Sequence, residues 1–126
     1  MKKIFILESN TYLKQQISFT LEKAGYETFF FSSADEFYSE NKKHIADLII
    51  IRTNSSNEDG MSVMHDIRQG GNSVPIIMTF SKNSNIETTK MLDSGADDCI
   101  SIPFGTREFV SRVNAVLRRC SYTLQK

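Results

Sequence analysis

The chain has 126 residues, 40% of them hydrophobic, and its 15 basic and 15 acidic side chains give a formal net charge of zero. This composition excludes disorder, and it disfavours a nucleic-acid-binding domain, which would carry a basic excess. The sequence shows neither a signal peptide nor an apolar span of about 20 residues, so we predict no membrane partner. Its two cysteines, Cys99 and Cys120, lack metal-ligand spacing, and we expect a reduced, cytoplasmic protein.

The first two predicted elements are a strand and a helix. Ile4–Leu7 is a continuous apolar run, which is typical of a parallel strand that is buried on both faces. Leu13, Ile17 and Leu21 repeat every four residues after a polar cap, and they predict a helix that ends at Gly25.

The remaining elements continue the alternation of strand and helix. We predict strands at 26–31, 48–51, 75–78 and 98–102, and helices at 33–43, 60–69, 86–94 and along the stripe of Phe109, Val113, Val116 and Leu117. Residues 121–126 leave the helical pattern and are interpreted as a tail or the start of a linker after a domain at 1–120. Because parallel strands need crossover connections, the pattern predicts an α/β fold with a doubly wound, five-stranded parallel sheet and helices on both faces.

Ligands of open α/β sheets bind outside the carboxyl ends of the strands. In this chain those ends carry Glu8 and Ser9 after the first strand, Arg52 at the third, Phe80 after the fourth and Ile102 after the fifth. We therefore interpret these residues as the candidate site.

Enzyme chemistry has little support at these positions. Ser9, Thr53 and Ser81 have no histidine near them in sequence, and we expect both His44 and His65 at the surface. A Gly-rich phosphate loop is also missing from the sequence. We therefore predict no catalytic residue.

Motifs along the chain carry a family resemblance in their order and spacing. They are Ile4-Phe-Ile-Leu-Glu8, Gly25-Tyr26, Asp47-Leu-Ile-Ile-Ile51, Asp59-Gly60, Ile67-Arg68, Val74-Pro-Ile-Ile-Met78, Gly95-Ala-Asp-Asp98 and Pro103-Phe104. From Lys3 to Arg119 the chain resembles the CheY-like receiver domain of bacterial response regulators. Its C-terminal motifs are most similar to the OmpR/PhoB subfamily, whose members usually join a receiver to a winged-helix DNA-binding domain.

The resemblance implies a degenerate phosphorylation site. A working receiver has two acidic residues after the first strand, an acceptor aspartate after the third, a hydroxyl residue after the fourth and a lysine before Pro-Phe. Here Glu8 is kept, while Ser9, Arg52, Phe80 and Ile102 occupy the other four positions. We therefore expect that Mg²⁺ binding is lost and that no metal or other cofactor is bound.

The altered residues lead to two predictions about the structure of the degenerate site. Since the first and third strands are neighbours in the receiver fold, we predict that Arg52 pairs with Glu8, the alternative being an arginine extended into solvent. Phe80 and Cys99 stand where the family's switch couples a hydroxyl residue to a rotating aromatic residue. Together with Ile102 they predict an apolar pocket, which either locks one conformation or only changes the packing.

The resemblance also implies a homodimer through the fourth helix, fifth strand and fifth helix. The charged residues that it assigns to this interface are Asp93, Asp97, Asp98, Arg112 and Arg119. Ile86 and Val110 are predicted to form a small apolar core between them, although Thr88 stands where the family has a basic residue. An ordinary solvated charged face is the alternative.

The function that follows is a regulatory one. We expect an atypical, phosphorylation-independent receiver that controls transcriptional output through dimerisation or protein contacts, and that reaches DNA only through a domain beyond Lys126. The alternative is a stand-alone interaction adaptor with no DNA-binding output.

Overall fold

The computed structural model describes residues 1–41, 45–53, 59–84 and 86–125. Its elements in chain order are β1 (Lys3–Leu7), α1 (Thr11–Lys23), β2 (Glu27–Phe31), α2 (Ala34–Asn41), β3 (Leu48–Arg52), α3 (Asp59–Gln69), β4 (Ile76–Ser81), α4 (Thr88–Asp93), β5 (Asp98–Ile102) and α5 (Thr106–Gln125). The strands form one sheet in the order β2-β1-β3-β4-β5, and each neighbouring pair is parallel. The predicted doubly wound α/β fold is confirmed.

Successive residues of the central strands enter two separate cores. Ile50 of β3 packs in a cluster with Phe109 and other residues of α1 and α5. Ile49 and Ile51 pack in a second cluster, which contains Met64 and other residues of α2, α3 and α4. Because strand side chains alternate between the faces of a sheet, the continuous apolar runs are explained by burial on both sides.

Helix α1 begins and ends as the sequence predicts. Asn10 is its N-cap, and the side-chain oxygen accepts a hydrogen bond from the Leu13 amide at 2.9 Å. The helix ends before Gly25, which adopts a φ of 96° that glycine tolerates best. The cap matters for the candidate site because Asn10 lies only two residues after Glu8, which directly follows β1.

Some predicted boundaries differ from the structure. Helix α4 starts at Thr88 rather than residue 86, because Glu87 is still extended, with φ −87° and ψ 126°. Helix α5 continues to Gln125, so the predicted loss of helix at 121–126 is wrong for 121–125, where no proline or glycine interrupts the chain. The predicted end of α2 at Lys43 lies outside the described residues. None of the helices within the described ranges combines the length and hydrophobicity needed to cross a membrane.

Arg68, near the end of α3, makes hydrogen bonds at the edge of the sheet where the strands begin. Its guanidinium donates to the Gly95 carbonyl at 2.8 and 3.1 Å, and to the carbonyls of Asn72 and Val74 at 3.0 and 2.7 Å. It also pairs with the Asp97 carboxylate at 3.2 Å. These contacts join α3 to the loops that lead into β4 and β5.

Candidate functional site at the carboxyl edge of the sheet

Glu8 lies directly after β1, at the edge of the sheet where the strands end. Its amide donates to the Phe31 carbonyl at 3.0 Å, and the residue is only 4% exposed. Its Oε2 accepts a hydrogen bond from the amide of Asn10 at 3.0 Å. The carboxylate is therefore held between the end of β1 and the cap of α1.

Arg52 is the last residue of β3, the strand next to β1. Its Nη1 lies 3.1 Å from Oε1 of Glu8, and its side chain is 26% exposed. The predicted Glu8–Arg52 pair is confirmed, and the alternative of an arginine extended into solvent is wrong. The Nε of Arg52 is buried and has no hydrogen-bond partner among the described residues. A partly exposed pair of this kind is worth about 0–1 kcal/mol.

Thr53 and Gly60 lie next to the main chain of Arg52. The Thr53 amide donates to the Thr79 carbonyl at 2.8 Å, and its buried Oγ1 has no partner in the described part of the chain. A Cβ on Gly60 would lie 2.3 Å from the Arg52 carbonyl oxygen, so α3 starts closer to β3 than any other residue allows. The burial of Thr53 was not predicted, although the alternation after Ile51 indicates it.

Phe80, Cys99 and Ile102 do not form one apolar pocket. Phe80 and Cys99 both pack against the core under α2, α3 and α4. Ile102 follows Ile100 by two residues, and Ile100 lies in the opposite core under α1 and α5. By strand alternation Ile102 lies on that side too. The prediction of a single apolar trio is therefore wrong, because the sheet passes between its members.

The surroundings of both cysteine thiols favour the protonated form. Burial raises the pKa of Cys99 to about 11, with a further rise from the Asp98 charge and an opposing effect of Arg112. Burial also raises the pKa of Cys120. Neither thiol has the thiolate character of a nucleophile at neutral pH. Within the described ranges, no group of three or more histidine, cysteine, aspartate or glutamate residues is placed to hold a metal ion.

The hydroxyl and histidine residues near the edge do not assemble either. Ser9 is exposed after β1, and His65 is exposed on α3, as predicted. No hydrogen bond joins His65 to Ser9 or Ser81, all three of which lie in the described part of the chain. His44 lies outside the described residues, as does the side chain of Asp59, the residue that begins α3.

Asp98 and Arg112, predicted to meet across a dimer, pair within this chain. Nη1 of Arg112 lies 3.1 Å from Oδ2 of Asp98, and its Nε lies 3.1 Å from Oε1 of Glu108. The hydrogen bond to Asp98, followed by that to Glu108, raises the pKa of Arg112. Interchain pairing would require exchange of these partners.

Asp97 is also engaged inside the chain. Its carboxylate accepts from the Ile76 amide at 2.8 Å and from Arg68 at 3.2 Å. Nη2 of Arg119 donates to the Asp97 carbonyl at 3.4 Å. Asp93 is exposed at the end of α4. Asp97 therefore acts first as a structural acceptor where β4 and β5 begin.

The apolar residues predicted between these charges lie on different faces. Ile86 packs against the core under α2, α3 and α4, whereas Val110 lines a groove with Phe19 and Lys23 of α1. The predicted Ile86–Val110 core is therefore wrong. Leu92, which the sequence analysis did not select, is 43% exposed on α4. It follows the fully buried Met91, and adjacent helical residues diverge by about 100°, a signal that was readable from the sequence.

The geometry is that of a parallel α/β sheet whose strand ends carry an ion pair. The family model of the response regulator receiver domain matches residues 4–114. The chain belongs to the response-regulator receiver family. Receivers are signalling domains, and this one is similar to transcriptional regulators.

Two curated relatives and one solved structure illustrate the similarity. The receiver is 30% identical over 118 residues to the alkaline phosphatase synthesis transcriptional regulatory protein PhoP of Bacillus subtilis, covering 94% of this chain and 49% of that protein. It is 30% identical over 119 residues to the sensory transduction protein RegX3 of Mycolicibacterium smegmatis, covering 94% and 52%. A two-component response regulator from Clostridium difficile has a TM-score of 0.84 and 25% identity, over 95% of this chain and 98% of that chain. The receiver spans about half the length of these curated relatives.

Proposed function

We propose that this receiver acts without phosphorylation of an aspartate and passes its signal to a transcriptional output through protein contacts or dimerisation. The observation that supports this function is the Glu8–Arg52 contact of 3.1 Å at the end of β3. The resemblance puts the acceptor carboxylate at the position of Arg52. A guanidinium stays protonated at ordinary pH and cannot accept a phosphoryl group.

The residues at this edge do not fit a Mg²⁺ site. Of the two Glu8 oxygens, one faces Arg52 at 3.1 Å and the other accepts from Asn10 at 3.0 Å. Ser9 adds no charge, and Arg52 contributes a positive one. Mg²⁺ prefers octahedral oxygen ligands and is bound through carboxylates, so a single carboxylate beside a cation disfavours it.

The groups that would hold a phosphoryl oxygen are also replaced. Phe80 is packed against the core under α2, α3 and α4 and offers no hydrogen-bond donor from its side chain. Ile102 has no charge where the family has a lysine. Because phosphoryl transfer depends on positioning and charge neutralisation, these changes act together with Arg52.

Acetyl phosphate with Mg²⁺, read by intact mass, tests the chemical part of the proposal. The natural chain should gain no phosphoryl group, and neither should Arg52→Asp alone, because the other altered positions remain. The combination Ser9→Asp, Arg52→Asp, Phe80→Thr and Ile102→Lys is the matched variant that should gain one. A stoichiometric phosphoryl group on the natural chain, at Ser9, Thr53 or Asp59, would contradict the proposal.

We also infer that two copies associate through α4, β5 and α5. Leu92 offers an exposed apolar side chain on α4. The Asp98–Arg112 pair offers charges on β5 and α5, the two elements that follow α4 in the chain. Because Arg112 already has partners within its own chain, an interchain pair gains only the difference between two similar contacts. The dimer should therefore be weak and sensitive to salt.

Sedimentation equilibrium at low and high ionic strength measures this association. The dissociation constant should rise with salt and with Arg112→Ala, while Arg118→Ala, an exposed arginine on the same helix, serves as the control. A strict monomer at high micromolar concentration in low salt would overturn the dimer. So would a dimer that is unaffected by Arg112→Ala.

The transcriptional output rests on the relatives rather than on this chain's own residues. Both curated relatives are about twice the length of the match. Members of the OmpR/PhoB subfamily usually join a receiver to a winged-helix domain, so we propose that a DNA-binding domain follows Lys126. Reading the coding sequence beyond Lys126 tests this: a winged-helix continuation supports a regulator, and an immediate stop supports the stand-alone adaptor.

A further inference from the structure

Strand β2 forms one margin of the sheet, and among the described residues it pairs only with β1. The Glu27 amide and the Phe31 carbonyl make hydrogen bonds of 3.0 Å towards the β1 side. Since main-chain groups alternate in direction along a parallel strand, those of Thr28 and Phe30 face the open margin. An extended segment can use such groups to add a strand.

A groove follows this margin on the side of α2, and we call it the α2-side groove. It encloses about 780 Å³ between Phe29 and Phe31 of the strand and Asp35 and Glu36 of the helix. The ring of Phe5 contacts the rings of Phe29 and Phe31 edge to face, at centroid distances of 5.5 and 5.3 Å. The floor is therefore a fixed aromatic cluster.

The α2-side groove is acidic. Asp35 and Glu36 are exposed, Glu40 adds a third carboxylate, and no basic side chain belongs to its described lining. Oε2 of Glu36 accepts a hydrogen bond from the Ser32 amide at 3.0 Å, which fixes that carboxylate beside the strand. Carboxylates above aromatic faces suit a lysine or arginine side chain, which gains an ion pair and a cation–π contact.

A second groove lies along the same margin of the sheet, on the side of α1. It measures about 440 Å³ and is lined by Phe30, Phe19, Lys14 and Glu22, among others. Phe30 points to this side, whereas Phe29 points to the α2 side. A strand added at the margin would thus place alternate side chains in a mixed groove that contains Phe19 and Phe30, and in an acidic one.

The charges argue against a second copy of this chain as the occupant. The strand Glu27-Thr-Phe-Phe-Phe31 contains no basic residue, so pairing of two β2 margins would bring carboxylates together. Nucleic acid is disfavoured by the same carboxylates. A basic, extended peptide segment has the complementary charge.

We propose that the β2 margin binds an extended basic segment of a partner protein as a sixth strand. Lysine or arginine side chains at alternate positions enter the α2-side groove, and apolar side chains between them contact Phe30. This surface uses neither Arg52 nor α4, β5 and α5, so the inference stands apart from the proposed function.

A capped synthetic peptide of about eight residues, the length of an ordinary strand, with alternating lysine and valine is the probe. Titrated into isotope-labelled protein, it should shift the amide resonances of Thr28 and Phe30 and slow their hydrogen exchange. A peptide of the same composition with its lysines and valines in two blocks, and one that alternates glutamate and valine, should not. If the peptide with its lysines and valines in two blocks bound equally well, binding would be unspecific charge attraction, and the proposal would be overturned.

Two matched variants locate the site. Asp35→Asn with Glu36→Gln should raise the dissociation constant about fivefold, since two exposed ion pairs are lost while the Ser32 contact is kept. Asp66→Asn with Glu87→Gln makes the same charge change on α3 and next to α4, away from the groove, and should leave the dissociation constant unchanged. Equal weakening by both variants, or self-association of the protein through β2 without peptide binding, would overturn the assignment.

A third variant tests the strand-addition geometry itself. Thr28→Pro removes an amide that faces the open margin, a position where proline is tolerated in edge strands, so the fold should survive and peptide binding should be lost. Circular dichroism checks the fold. Unchanged peptide affinity of the folded Thr28→Pro protein would rule out main-chain pairing at β2.

Discussion

Arg68 and Arg52 lie at opposite edges of the same sheet, and they are held in opposite ways. Arg68, where the strands begin, makes four hydrogen bonds to main-chain carbonyls and one to the Asp97 carboxylate. Arg52, where the strands end, contacts Glu8, and its buried Nε has no partner among the described residues. Among the described residues, Arg68 therefore has more hydrogen-bond partners than Arg52.

The two arginines differ in what they contribute: Arg68 stabilises the fold, whereas Arg52 belongs to the candidate site. The carbonyls of Gly95 and Val74 that accept from Arg68 are part-buried, so losing the guanidinium would leave both acceptors without this partner at a direct energetic cost. At the other edge, in the function proposed above, Arg52, Phe80 and Ile102 replace the groups that bind phosphate in the family. Sites with few contacts are where proteins can change chemistry without unfolding.

The largest effect should come from Arg68→Ala. Removing several charge-assisted hydrogen bonds should lower the free energy of unfolding by about 3 kcal/mol, measured by urea denaturation. Arg118→Ala, at an exposed position of α5, should change it by less than about 0.5 kcal/mol. A loss below about 1 kcal/mol for Arg68→Ala would remove the contrast between the two edges.

Gly60→Ala should have the next largest effect, and it tests the packing at the carboxyl edge. The new Cβ would lie 2.3 Å from the Arg52 carbonyl oxygen, so the start of α3 must shift. We expect a loss of about 2 kcal/mol in unfolding free energy, as for other overpacked sites. Gly70→Ala is the control, since its Cβ would meet its nearest atoms at 3.5 and 3.6 Å, an ordinary contact. Similar losses in the two variants would contradict the close approach.

A double-mutant cycle of Glu8→Gln and Arg52→Gln should give a coupling energy of about 1 kcal/mol, because the pair is partly exposed. Glu8→Gln combined with Arg118→Gln should show no coupling. A coupling above about 3 kcal/mol would mean that the pair is a structural element comparable to Arg68.

The smallest effect is a pH dependence from Cys99, in the sheet between the two edges. Burial, then the Asp98 charge, raises the pKa of the folded thiol from the ordinary 9.0 to about 11. Its contribution to stability is therefore complete below pH 9 and is lost as the pH rises through 11. Between about pH 8 and about pH 11, Cys99→Ala should lose less stability than the natural chain. Parallel losses would show that the thiol does not contribute.

The fold could be predicted almost completely from the sequence. Continuous apolar runs such as Leu48–Ile51 and the helical stripe from Phe109 to Leu117 report burial directly. The start of α4 could not, since Glu87 carries no capping hydrogen bond. The continuation of α5 over 121–125 was mispredicted, although the sequence has no helix-breaking residue there.

The candidate site was predicted in part. The Glu8–Arg52 pair follows from charge and strand order, so it was accessible before any coordinates. The apolar trio was wrong although the sequence held the contrary signal, because Cys99 and Ile102 are three residues apart in one strand and therefore lie on opposite faces of the sheet. The partners of Asp98 and Arg112 depend on side-chain rotamers, which neither composition nor spacing contains.

The strand order separates the two surfaces that we propose for binding partners. Strands β2 and β5 are the first and last in the sheet, so about 19 Å separates them at the usual spacing of neighbouring strands. A peptide on β2 and a second copy on the β5 side would not collide. Both could occupy the receiver at once, and a dimer would then present two identical peptide sites at its far ends, which allows a bivalent partner to bind with avidity.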